Sequence, residues 1–221
     1  HRLWRFGAGK DQSVQHHRGA RLSINDLKRG TCAVIYMVEC GFADAAREDE
    51  WNAWYSGPKL TELLKVADFL SAQRFKALDA RPAPYLNVTT IVSGEMFNST
   101  DYRGHGGGAF GPWPAELILN WDRRLFSGPV QIPPVSDDER LLLIDGQQPQ
   151  AAAISGELGI SIDWLEGHDW QQLANYKDGV ALDQSVPYRG FAVLPASACT
   201  DLAQRDDLRV YAPVCPFQGE S

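Results

Sequence analysis

The sequence predicts an α+β protein of two tandem β-α-β-β-α-β halves that together close one barrel. Three observations predict it. Short β-rich runs recur from residue 31 to the C-terminus, segments of helical spacing fall between them, and a proline-rich stretch divides the chain near its middle. With 221 residues, 44% of them hydrophobic, the chain is long enough to bury one large core or two small ones.

Residues 1–30 form a polar arm in which seven basic side chains outnumber two acidic ones, on a chain whose net charge is −7. The arm is expected to lie across its own acidic body or that of a neighbour. The acidity of the body argues against a general nucleic-acid surface. His16 and His17 lie here without further ligand-type neighbours, so no metal site is assigned.

The run Thr31–Cys40 is almost continuously apolar and reads as a central strand. Asp44 is placed to cap a helix whose first turn carries Glu48, Asp49 and Glu50. Trp51, Trp54 and Tyr55 share one face of it, Gly57-Pro58 is expected to interrupt it, and Leu60, Leu63 and Leu64 resume the stripe. Phe69–Lys76 and Tyr85–Val92 alternate as strands, Glu95–Tyr102 suits a short helix, and Ala115–Trp121 reads as a fourth strand. This order is the ferredoxin-like plan, assigned to residues 31–127.

Residues 128–138 are the expected linker. Residues 139–217 repeat the plan more weakly, with strands at Arg140–Asp145, Gly159–Leu165, Tyr188–Leu194 and Leu208–Val214. Helices are expected at Ala151–Leu158 and Ala196–Arg205, and residues 218–221 are a tail. The four cysteines are read as reduced core residues. Cys32 and Cys40, in one strand, are ~26 Å apart and beyond disulfide reach. No apolar run reaches membrane-spanning length and no leader pattern is read, so a cytoplasmic location is expected.

The first half resembles the EthD-like branch of the dimeric α+β barrel superfamily. The residues that carry the likeness are Trp51-Asn52-Ala53-Trp54-Tyr55, Leu60 with Leu63-Leu64-Lys65-Val66, Phe69-Leu70-Ser71-Ala72-Gln73-Arg74-Phe75 and Pro84-Tyr85-Leu86. The resemblance covers roughly residues 31–125 and implies a half-barrel that needs a second copy, here supplied by residues 140–216. Relatives carry a His just after the Trp-Tyr segment, whereas this chain has Ser56-Gly57-Pro58-Lys59, so that residue's role does not transfer.

Alternation places Tyr85, Asn87 and Thr89 toward a barrel pocket, with Leu86, Val88, Thr90 and Val92 toward the helices. The same logic turns Phe69, Ser71, Gln73 and Phe75 inward. The result is an aromatic-walled cavity for a flat ligand. Arg74 is a candidate carboxylate clamp, the plainer reading being an ion pair with Glu48 or Glu62. Lys59 has no apolar context that would depress its pKa, so a Schiff-base role is not assigned.

Tyr102, Arg103 and His105 precede a run of glycines, so a loop carrying His105 as acid/base, with Tyr102 and Arg103 stabilising negative charge, is the candidate catalytic group. The plainer account is an exposed loop histidine. His168, beside Asp169, is a second binding candidate, and a turn residue otherwise. With Trp54, Phe69, Gln73, Arg74, Phe75, Tyr85 and Asn87 shaping the pocket, these groups predict an enzyme without metal or organic cofactor. Its chemistry would be proton transfer on a small aromatic or carbonyl compound, as isomerase, cyclase, dehydratase or lyase. A non-catalytic binding or assembly protein is the first alternative, and a homo-oligomer is allowed in either case. Haem binding, through His105 or His168, is the second.

Overall fold

The computed structural model describes residues 34–128, 131–147, 149, 151–167 and 186–219. The arm at 1–30, Cys32 and His168 lie outside the described residues.

Among the described residues, eight antiparallel strands close on themselves. They are β1 (Val34–Phe42), β2 (Phe69–Ala77), β3 (Tyr85–Ile91), β4 (Ile118–Ser127), β5 (Glu139–Gly146), β6 (Asp163–Gly167), β7 (Tyr188–Pro195) and β8 (Arg209–Pro213). Round the barrel the order is β3-β1-β4-β6-β7-β5-β8-β2 and back to β3. Two short ladders join the first four strands to the last four: Phe126–Ser127 pairs with Glu166–Gly167, and Phe75–Ala77 with Tyr211–Pro213. Within each set of four, the first strand pairs with the third and the fourth, and in the second set those neighbours are β7 and β8 of β5. The tail supplies a short ninth strand, β9 (Gln218–Gly219), against Ser71 and Ala72.

The described α-helical pieces between strands are α1 (Glu48–Trp54), α2 (Leu60–Leu63), α3 (Thr100–Gly104) and α4 (Ala151–Leu158). Asp44 accepts from the amide of Ala46, capping the 3-10 turn that leads into α1. Gly57-Pro58 does not stop the helix as expected. Tyr55–Lys59 widens into a π turn that contains Pro58, then α2 resumes. A wider turn relieves the clash between the proline ring and the carbonyl four residues back, so the stripe continues. The last strand of the first half starts later than expected, after the 3-10 turn Ala115–Leu117, and runs on to Ser127. The helix expected at Ala196–Arg205 is two 3-10 turns, Ala196–Ala198 and Leu202–Gln204.

The barrel interior is a filled core built from Ile35, Met37, Phe75, Leu86, Leu141 and Phe191, among others. Eight-stranded barrels leave an interior just wide enough for side chains to fill. This reverses the expected facing of β3, because Leu86 and Val88 point into the barrel and Tyr85 packs with Trp51 on the helix side. In β2, Ser71, Gln73 and Phe75 line the interior as expected, but Phe69 does not. The ladder shifts register between Phe69 and Ser71, and one extra residue turns Phe69 to the other face.

Outside the barrel, α1 and α2 cover the first half, with Leu60 and Leu63 packed in one cluster with Tyr36 and Val38. Ile154 and Leu158 of α4 cover Leu142, Ile144 and Val210 of the second half. Glu39 of β1 bonds Arg189 of β7 at 2.8 Å and Arg209 of β8 at 3.0 Å. Asp145 of β5 takes Arg189 at 2.7 Å. This polar network stitches one half to the other across the barrel.

Candidate functional site

The cavity lies between the sheet of the first half and its helical cover, not in the barrel interior. Four of its walls come from one helical stripe, Trp51, Tyr55, Lys59 and Leu63, each four residues from the last. The sheet contributes Tyr36, Val38, Cys40 and Asn87, and β4 adds Ile118 and Trp121. Gly108, Ala109 and Phe110 of the glycine-rich loop close it, with Tyr102 and Trp54 beside them. The enclosed volume is about 40 Å³. An apolar cavity of about 150 Å³ holds a benzene ring, so a ring-sized ligand would enter only with movement of the loop.

Specific contacts hold the loop against the cavity. Lys59 Nζ donates to the carbonyl oxygens of Gly106 and, at 2.8 Å, Ala109. Gly111 has φ +62°, and a Cβ there would sit 2.3 Å from the ring of Trp54, so glycine is required both for the backbone and for the approach. Burial pulls the Lys59 ammonium down to about 8. The apolar context absent from its sequence neighbours is supplied by the cavity, which corrects the expectation that Lys59 keeps an ordinary pKa. The i+4 stripe from Trp51 to Leu63 is the signal that places Lys59 on this face.

Other groups are tuned by the same burial. The Cys40 thiol is pushed up to about 12 by desolvation, only partly offset by Arg74. Desolvation likewise pushes the Tyr55 hydroxyl up. Trp51 Nε1 and Asn87 Oδ1 are buried without a hydrogen-bond partner. Both residues line the cavity, so an unused donor and an unused acceptor lie beside its apolar walls.

Of the residues singled out in the sequence, Trp54, Asn87 and Tyr102 line this cavity. Phe69 stacks behind Tyr102 at 5.9 Å. Tyr85 accepts from Asn52 at 2.7 Å and donates to Glu48 at 2.6 Å. Arg74 does not make the expected ion pair with Glu48 or Glu62. It donates to Asn52 Oδ1 and Ser56 Oγ, with Tyr55 and Trp51 rings at 4.1 and 4.8 Å. Gln73 and Phe75 belong to the barrel interior. His105 is not brought to the cavity: its Nδ1 lies 3.5 Å from Asp101 Oδ1 on a partly exposed turn. Arg103 is exposed and donates to the carbonyl of Asn98 at 2.8 Å. The trio expected to act together is thus split, with Tyr102 inside and its two neighbours outside.

No family model matches the sequence. No curated protein matches it either. Solved structures do match the fold. An anthrone oxidase-like protein aligns at 10% identity over 90% of this chain and 95% of its own, with a TM-score of 0.51. A protein named as a candidate monooxygenase from Fusobacterium nucleatum aligns at 7% identity over 87% and 96%, TM-score 0.48. A haem-binding protein from Thermus thermophilus aligns at 9% over 82% and 91%, TM-score 0.43. At these identities the likeness to the anthrone oxidase-like protein shows a shared fold. The place of His105 outside the cavity overturns the expectation of a cofactor-independent isomerase, cyclase, dehydratase or lyase working through it. No helix among the described residues is long and apolar enough to cross a membrane.

Proposed function

We propose that this chain is an oxidative enzyme that binds a small, flat aromatic compound between its first-half sheet and the helix running from Glu48 to Leu63. The observation that carries the reading is the cavity itself. Trp51, Trp54, Tyr55, Phe110 and Trp121 supply stacking surfaces, and Trp51 Nε1 and Asn87 Oδ1 are left for a polar substituent. The oxidative class draws its support from the fold shared with an anthrone oxidase-like protein. In this reading Trp54 and Tyr55 hold the ring, Asn87 and Trp51 orient its polar group, and the loop latched by Lys59 keeps bulk water out.

The repeated strand order supports a second part of the proposal. The barrel is two ferredoxin-like halves, residues 31–127 and 139–217, in one chain, with residues 128–138 crossing between them. The ligand site is built by the first half alone. The covering helix of the second half packs aliphatic side chains on its strands.

A haem-related reading, which the neighbours' names also admit, was tested against the cavity. His105, the histidine among the described residues, does not line it, and burial keeps the Tyr55 hydroxyl and the Cys40 thiol of its walls protonated. The residues here do not fit a haem, and no step is routed through one. Oxygen uptake with a panel of hydroxylated arenes, with products read by mass spectrometry, tests the proposal. Saturable uptake that is lost in Trp54→Ala is expected. Absence of both uptake and binding across the panel overturns it, and a Soret band on adding haem would favour the other reading.

A further inference from the structure

The floor of the cavity belongs to a row of four residues across four strands. Arg74 on β2 is opposite Asn87 on β3, Asn87 is opposite Val38 on β1, and Val38 is opposite Arg123 on β4. Directly opposed residues in antiparallel ladders project to the same face. Two arginines therefore flank the Asn87–Val38 floor, one on each side, and each is 1% exposed.

Their guanidinium groups lie against the rings that form the walls. Arg74 Cζ is 4.1 Å from the centroid of Tyr55, and Arg123 Cζ is 5.3 Å from Tyr36 and 5.4 Å from Trp121. The side-chain hydrogen bonds of Arg74 go to neutral oxygens of Asn52 and Ser56. Across the cavity, Lys59 donates to two backbone carbonyls. Among the described residues that line the cavity there is no Asp or Glu. Glu48, the carboxylate that this network reaches, is engaged by Tyr85 and Lys76. Tyr55 and Cys40 stay protonated because burial disfavours their charged forms, so neither adds negative charge.

We propose that the cavity selects an aromatic anion, a phenolate or arene carboxylate, over the neutral form of the same ring. The inference rests on the aromatic-ligand reading above and names its charge state. Arg74 and Lys59, which donate to neutral oxygens, act beside a space walled by apolar rings at low effective dielectric, where a charge is felt across several ångströms. The unpaired Trp51 Nε1–H is a donor suited to an oxyanion.

The test uses the full chain and three small probes: 4-nitrophenol, 4-nitrobenzoate and the neutral 4-nitroanisole. Tryptophan quenching reads occupancy and phenolate absorbance reads the charge of bound nitrophenol. Bound 4-nitrophenol is expected to titrate at least one pH unit below the free compound, which is about a tenfold preference for the anion. At least one of the two anions should bind ten or more times more tightly than 4-nitroanisole, and which of them does so identifies the oxyanion. Arg74→Met should cut the titration shift by half or more. Because a buried arginine variant risks misfolding, Lys59→Met, at the edge of the site, is the second readout and should move the shift in the same direction. If nitrophenol binds but titrates at or above its free value, or if both variants leave the shift unchanged, the anion inference falls and the aromatic site stands. If no probe quenches or binds, both fall.

Discussion

Gln73 and Val135 satisfy each other's amides: Gln73 Nε2 donates to the Val135 carbonyl at 2.7 Å, and the Val135 amide donates to Gln73 Oε1 at 3.0 Å. A side chain on β2 thus does for the crossing segment what a neighbouring strand does for a ladder. Both residues are buried, and Val135 and Ile132 pack into the barrel core. Ile132 and Val135, between β4 and β5, are therefore part of the core. Replacing Gln73 with Ala leaves two buried backbone groups without partners, each worth about 1–3 kcal/mol. Urea unfolding of Gln73→Ala should show a loss of about 2–6 kcal/mol. A loss below about 0.5 kcal/mol would show that water replaces the side chain there.

The strands of this fold were legible because their β-branched and aromatic runs are bounded by Pro, Gly and Asp. Their facing was not. Alternation in Tyr85–Ile91 defines two faces, but both are buried throughout, so composition does not tell which one meets the helices. Phe69 adds a second reason, since a bulge that moves one residue across the sheet leaves no mark in the pattern. The site was half legible. Trp54, Tyr102 and Asn87 stood out by type, whereas Lys59 takes its character from walls more than forty residues away, at Gly106 and Ala109. The row from Arg74 to Arg123 exists only once β2, β3, β1 and β4 are in register.

Asn87 pits ligand binding against stability. Its Nδ2 donates to Thr89 at 3.0 Å, while its Oδ1 is buried and unpaired. An unpaired buried acceptor costs about 1–3 kcal/mol, and losing the bond to Thr89 takes back about 1 kcal/mol of what its removal gains. Asn87→Leu is expected to leave stability unchanged or raise it by about 1 kcal/mol, while ligand affinity falls. Thermal unfolding with and without 4-nitrophenol separates the two effects. A destabilised variant with unchanged affinity would show that Asn87 serves the core and not the ligand.

Lys59 should govern both the loop and an alkaline rise in stability. Its folded pKa of about 8 lies below the ordinary 10.5 because burial disfavours the ammonium. Between those two values the unfolded chain holds the extra proton, so stability rises with pH through that window. Lys59→Met removes the rise. It also removes the donors to Gly106 and Ala109, so limited proteolysis between residues 103 and 112 should speed up. Unfolding midpoints at pH 7.5 and 10 for both proteins check the first point. An identical change in the two would assign the rise to other groups.

Glu39 predicts the acid limb. Burial alone pushes its carboxyl up, but the guanidinium groups of Arg189, Arg209 and Arg124 outweigh that and hold it at about 2. The unfolded carboxylate titrates near 4.5. The contribution is therefore complete above pH 4.5 and is lost as pH falls toward 2, amounting to about 3 kcal/mol. Glu39→Gln strands Arg189, which is 0% exposed and keeps only Asp145 as an acidic partner among the described residues. Removing one member of such a buried pair costs about 3–5 kcal/mol. The variant should unfold at lower denaturant at pH 7, and its stability should change less than the wild type's between pH 4.5 and 2. Because Glu39 sits on β1 while Arg189 and Arg209 sit on β7 and β8, the loss should appear as one transition in which both halves unfold together. Two separable transitions in the variant would mean that the halves hold their own cores, and that this network joins them without stabilising either.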